Sequence, residues 1–114
     1  MKLFIYCAGG FGKEIFDTAK RINSSNEKWD EICFIDDNAS LGHEFYGSKL
    51  FTFERVLEKF DLSSFEVSIA NGEPFIRKAI YDKVKSNNIH LTTLVDNSAI
   101  ISDTATMGEG VIVT

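Results

Sequence analysis

Leu3-Phe4-Ile5-Tyr6-Cys7-Ala8-Gly9-Gly10-Phe11-Gly12-Lys13-Glu14 passes from a short apolar run, through glycines, into a helical pattern. The run Leu3 to Cys7 is too short for a helix and is closed by Gly9 and Gly10. It reads as a strand buried on both faces, the kind found inside parallel sheets. Beyond it, Phe11, Ile15, Phe16, Ala19 and Ile22 fall on one helical stripe, with Lys13, Glu14, Asp17, Lys20 and Arg21 opposite. Asn23 to Asn26 is polar and predicts a turn. Ile32 to Ile35 predicts a second buried strand, ending at Asp36-Asp37-Asn38. A strand, a glycine turn, a helix and a second buried strand make the repeating unit of a parallel α/β sheet.

Downstream, Ala39 to Gly47 reads as an irregular loop and Lys49 to Phe51 as a short extended piece. Thr52 is a predicted N-cap for a helix carrying Phe53, Val56, Leu57 and Phe60 at helical spacing. Glu66 to Ala70 predicts a strand ending at Asn71-Gly72. Pro74 then suits the first turn of a helix whose apolar face is Phe75, Ile76, Ala79, Ile80 and Val84. Asn87 and Asn88 close that helix, and Leu91 to Val95 predicts a last strand. The expected fold is an open, Rossmann-like, largely parallel sheet with helices on both faces. Right-handed crossovers then bring the loops at 8–13, 36–38 and 71–73 to one edge.

At 114 residues the chain suits one domain, and 44% hydrophobic against 25% charged residues is ordinary for a globular protein. The formal net charge of -5, with no stripe of lysine and arginine, argues against a nucleic-acid partner. No apolar segment approaches the roughly 20 residues of a membrane span, so no membrane partner is expected. Met1-Lys2 runs into an internal strand and not a signal sequence. Cys7 and Cys33 both sit in apolar runs, which predicts free buried thiols, a reducing compartment and a cytoplasmic location.

The glycine loop carries the first candidate site. Gly9, Gly10, Phe11 and Gly12 form a compressed variant of the dinucleotide-binding glycine pattern. The helix that follows offers unpaired N–H groups and a positive dipole end to a phosphate, and Lys13 either adds a charge or points to solvent. A strand-to-helix turn that needs glycine only for packing is the alternative. Asp36 or Asp37, 27 and 28 residues after Gly9, is placed to accept from a ribose or base edge, or else belongs to a solvated turn. Asn71 and Gly72 end the strand expected beside the first, where Asn71 is a candidate ligand contact; Arg77, one turn into the next helix, either reaches the ligand or its phosphate or belongs to the surface. His43 and His90 have no Cys, Asp or Glu at metal-ligand spacing, so no metal site is predicted. Nor is a nucleophile predicted at Cys7 or Cys33.

The last twenty residues follow another rule. Val95, Ile101, Met107 and Val113 fall six apart, and Ala99, Ala105 and Val111 follow the first three anchors by four. A six-residue period marks a parallel β-helix, in which each hexapeptide forms one face of a triangular coil. Three faces make a coil of 18 residues. The expected organisation is a Rossmann-like domain over residues 1–94 and the truncated start of a hexapeptide β-helix over 95–114.

These motifs, in this order, resemble the bacterial sugar O-acyltransferase family, which includes sialic acid O-acetyltransferases and UDP-4-amino-sugar N-acetyltransferases of glycan biosynthesis. The matching text is Ala8-Gly9-Gly10-Phe11-Gly12-Lys13-Glu14, Phe34-Ile35-Asp36-Asp37, Ile69-Ala70-Asn71-Gly72 with Arg77, and the hexapeptides from Val95. The resemblance implies a left-handed β-helix and a nucleotide-sugar, such as a UDP-sugar, bound by the N-terminal domain. It places Gly10, Phe11 and Gly12 at the phosphates and Asp36 or Asp37 near the uridine. Cys7 stands where the family usually has glycine, and Phe11 where histidine is common. The resemblance further implies acetyl-CoA as the family's acyl donor, bound between β-helices of a homotrimer, and a catalytic histidine further along the β-helix. The 114-residue chain alone is therefore expected to bind no acetyl-CoA, to be inactive, and to be monomeric or weakly associating. Two other readings stand beside this one: a small NAD-binding Rossmann-like module, and a non-catalytic assembly domain.

Overall fold

The computed structural model describes residues 1–92, 94–95 and 112–113. Its main sheet contains β1 (Lys2–Tyr6), β2 (Glu31–Ile35), β3 (Glu44–Phe45), β4 (Ser48–Phe51) and β5 (Phe65–Ile69), in the order β3-β4-β2-β1-β5. All neighbours are parallel except β3 and β4. Tyr6 lies level with Ile35 on one side and Ile69 on the other, so three strands finish together. Backbone bonds from Cys7 N to Ile35 O (2.7 Å) and from Ala70 N to Tyr6 O (2.9 Å) carry that alignment one residue further.

Both faces of β1 are covered. Leu3 and Ile5 pack with Ile15, Phe16, Ala19 and Ile22 of α1 (Gly10–Asn26). Phe4 and Tyr6 face the other way, toward Val56 of α2 (Phe53–Lys59) and Ile80 and Val84 of α3 (Pro74–Ser86). A strand covered on both faces has no polar side, which is why the run is continuously apolar. Phe4 sits edge-on to Phe51, Phe60 and Phe65 at centroid distances of 5.9, 5.3 and 5.1 Å. Complete burial of one such ring contributes about 1.5–3 kcal/mol. Thr52 caps α2 as expected, its hydroxyl accepting from Arg55 N at 3.3 Å.

Several expected features differ. The stretch 23–26 is the last turn of α1 and not a loop. The helix is stopped one residue later by Glu27 in the left-handed region (φ 45°), and the Asn23 amide clasps the N–H and C=O of Trp29 at 2.7 and 2.9 Å. Within 39–47, a 3₁₀ turn (Ala39–Leu41) and β3 interrupt the loop. Phe11, Phe75, Ile76 and Ala79 do not join the core. Phe75 is 86% exposed, because only the second half of α3, from Ile80 on, packs over the sheet. The predicted strand 91–95 is divided. Leu91 makes a single parallel bridge to Val67 at the β5 edge, and Thr92 N donates to Val67 O at 2.9 Å. Leu94–Val95 then forms β6, which pairs in parallel with β7 (Ile112–Val113). The remaining hexapeptide positions lie outside the described residues.

Candidate functional site

The chain runs from β1 outward to β2 and β4, then returns to β5 on the other side of β1. Crossovers that diverge from one strand leave a gap above it, and ligands of open α/β sheets bind there. In this protein that gap is a crevice of about 580 Å³. The structure brings Gly9, Gly10, Phe11, Asp36, Asp37, Asn71 and Gly72 around it, from all three loops expected at this edge. Tyr6, Cys7 and Ala8 form its floor, and Ile76 and Ile80 close one wall.

The glycines do different jobs. Gly12 is buried beneath the loop and does not line the crevice. A Cβ there would lie 2.4 Å from the Cys7 carbonyl oxygen, so this glycine lets α1 close onto the end of β1. The fold makes no such demand at Gly9 or Gly10. Neither has a positive φ, and a Cβ on either would meet nothing within 4 Å. Gly9 is the N-cap of α1 and provides no side-chain cap, so the first N–H groups of the helix are left without one. Lys13 points elsewhere, its ammonium lying 5.6 and 5.5 Å from the Phe45 and Tyr46 ring centroids. Arg77 also stands outside the crevice. It donates to Ile69 O at 2.9 Å and borders an adjoining cavity with Phe11, Asn71 and Gly72.

The two aspartates anchor the loops. Asp36 accepts from Ala8 N at 2.9 Å and from Asn38 N at 3.0 Å, tying the β2 loop to the glycine loop. Asp37 accepts from the Tyr6 hydroxyl at 2.5 Å, Phe53 N at 3.0 Å and Lys83 Nζ at 2.9 Å. Burial pushes the Asp37 carboxyl up, but the Tyr6, Phe53 and Lys83 hydrogen bonds outweigh it and hold the group below its usual range. The same contact, added to burial, drives the Tyr6 phenol far above its usual value. Tyr6 and Lys83 were not legible as site residues. Nothing local links Lys83 to an acid 46 positions away, although Tyr6 ends the strand that feeds the loop.

Cys7 is the odd residue at the lip of the crevice. Its φ is 97°, a region where a side chain is strained and glycine is not. Burial raises its thiol pKa, opposed by a contact from Asn71 Nδ2 at 3.7 Å. Burial likewise pushes Cys33 up to about 12. Both thiols are free; Cys33 is buried as expected, Cys7 only partly so because it borders the crevice, and burial disfavours the thiolate at each. His90, which has no acid at metal-ligand spacing in the sequence, lies 3.7 Å from Glu66 on β5. The described residues contain no cluster of three or more metal-ligating side chains, and none of their helices is long and apolar enough to cross a membrane.

A sequence-family model described as the PglD N-terminal domain matches residues 2–84. Among solved structures, the acetyltransferase domain of PglB from Neisseria gonorrhoeae FA1090 superposes with a TM-score of 0.84 at 25% identity, over 97% of this chain and 52% of that one. The same domain in complex with acetyl coenzyme A gives a TM-score of 0.83 at 25% identity, over 97% and 51%. The chain thus spans about half the length of the solved structures it matches.

Proposed function

The chain belongs to the PglD N-terminal domain family, and from that premise we propose that it is the nucleotide-sugar-binding part of an acetyl-CoA-dependent sugar O- or N-acetyltransferase. The observation that carries this reading is the pair Gly9 and Gly10. Their lack of a side chain is unexplained by backbone conformation or packing, and they clear the approach to an uncapped helix N-terminus. A diphosphate fits that approach, since the helix end supplies N–H donors and about half an elementary positive charge. Asp36 and Asp37 stand across the crevice, where acceptors suit the hydroxyl and N–H groups of a nucleoside.

Acetyl-CoA fits the crevice poorly. Beyond a pyrophosphate like that of a nucleotide-sugar it carries a phosphomonoester of close to two negative charges, and the lining holds two aspartates and no lysine or arginine to meet that extra group. No step through it is assigned to these residues, and transfer by the 114-residue chain alone is not expected. The offset in the β6–β7 pairing supports a β-helical reading of 95–114. Leu94 meets Ile112 and Val95 meets Val113, each eighteen residues on, which is the length of one three-hexapeptide coil. Leu94 is buried against the α1 side of the sheet, so such a coil would rest on the Rossmann-like domain.

Calorimetry with a UDP-sugar tests the site. Gly10→Val puts a side chain into open crevice without touching the core, and affinity should fall at least about tenfold while stability holds. Unchanged affinity in that variant, or binding of NAD and not of the UDP-sugar, would overturn the proposal.

A further inference from the structure

A second concavity, of about 500 Å³, lies between β4, the 3₁₀ turn at Ala39–Leu41 and the exposed side of α2. Leu50 and Phe51 are its apolar part, and His43, Lys49, Arg55 and Lys59 line it with no aspartate or glutamate. This is the reverse of the crevice, which has two acids and no lysine or arginine in its lining. Such a concentration of basic side chains is unusual in a chain of net charge -5.

The basic groups are not equivalent. Lys49 is held by Glu31 at 3.1 Å. Lys59 lies over the Phe51 and Phe60 rings at 5.4 and 5.9 Å, and its ammonium meets no carboxylate among the described residues. Arg55 is the exception among the lysines and arginines of the described residues, because its guanidinium meets no carboxylate, ring or acceptor among them. Arg55 and Lys59 are four apart on α2, so two like charges share one face, an arrangement that weakens a helix unless an anion sits between them. Thr52 adds a hydroxyl that already accepts from Arg55 N, leaving its proton to donate outward.

We propose that this groove is a second binding site, separate from the crevice, for a small phosphorylated ligand whose phosphate is clasped by Arg55 and Lys59. A terminal phosphate matches the donor set better than a carboxylate does. It presents three acceptor oxygens and close to two negative charges, against a guanidinium fork, an ammonium, a hydroxyl and an imidazole. One carboxylate would satisfy Arg55 alone.

The test is a backbone-amide NMR titration of the full chain with inorganic pyrophosphate at constant ionic strength, with tricarballylate as the carboxylate control. Saturable shifts at Gly42, His43 and residues 51–59, about tenfold weaker in Arg55→Gln and partly restored in Arg55→Lys, are expected. Arg55 is exposed, so the variant spectra should otherwise match the parent. Shifts at residues 51–59 that are absent, that do not saturate, or that are unchanged in Arg55→Gln would overturn the site, whereas shifts at residues 9–13 report the crevice alone. Equal affinity for tricarballylate would overturn the phosphate assignment.

Discussion

At the scale of single residues, Cys7 holds a strained backbone at the lip of the crevice. Its φ of 97° costs a non-glycine residue about 1–3 kcal/mol. Cys7→Gly should therefore raise the urea midpoint, by about 1 kcal/mol in stability once the lost side-chain contacts are counted. A lower midpoint would mean that the thiol's packing outweighs the strain. Gly12→Ala should act the other way, costing about 3 kcal/mol, because its Cβ would collide with the Cys7 carbonyl. Asp37 adds a dependence on pH. Its folded-state pKa is depressed, so its contribution is present above the unfolded carboxylate range and is lost as pH falls through the folded value. Asp37→Asn should lower the thermal midpoint at neutral pH and have a smaller effect near pH 3, as paired melting curves would show.

Between elements, one buried acid ties three segments together at the opposite edge of the sheet. Glu66 on β5 accepts from the Trp29 indole at 2.8 Å, lies 3.5 Å from Lys28 and faces His90 at 3.7 Å. Trp29→Phe keeps most of the ring but removes the N–H, leaving part of a carboxylate buried without its donor. A cost of about 1–3 kcal/mol is expected by denaturant titration. By contrast Phe75→Ser, on the exposed first turn of α3, should move stability by no more than about 0.5 kcal/mol. The contrast shows what periodicity can convey. The α3 pattern of Phe75, Ile76, Ala79, Ile80 and Val84 does describe one helix face, but not how much of that face overlies the sheet. Phe11 was misassigned in the same way, since it belongs to the first turn of α1, at the crevice. Strands β1 and β2 were legible because burial on both faces leaves an unmistakable apolar run. The Tyr6–Asp37–Lys83 contact was not, because no local rule joins residues that meet only through the crossover of the sheet.

For the whole molecule, the topology makes the crevice and the basic groove neighbours along one sheet edge. Asp36 N donates to Phe51 O at 2.9 Å, linking a residue lining the first to one lining the second. The α/β architecture and the gathering of the three loops followed from the order of elements. The antiparallel β3 did not, because two residues carry no periodicity to read. At the far end, the eighteen-residue offset can be checked directly: an interstrand NOE between the amides of Leu94 and Ile112 is expected at the register described. The contact between Gly12 and the Cys7 carbonyl has a further consequence, for divergence among relatives. The direction in which α1 points its N–H groups is set by main chain pressing on main chain, not by any side chain around the opening. Residues on the rim, such as Phe11, can therefore be exchanged during evolution, changing which molecule is admitted while the cradle beneath keeps its aim.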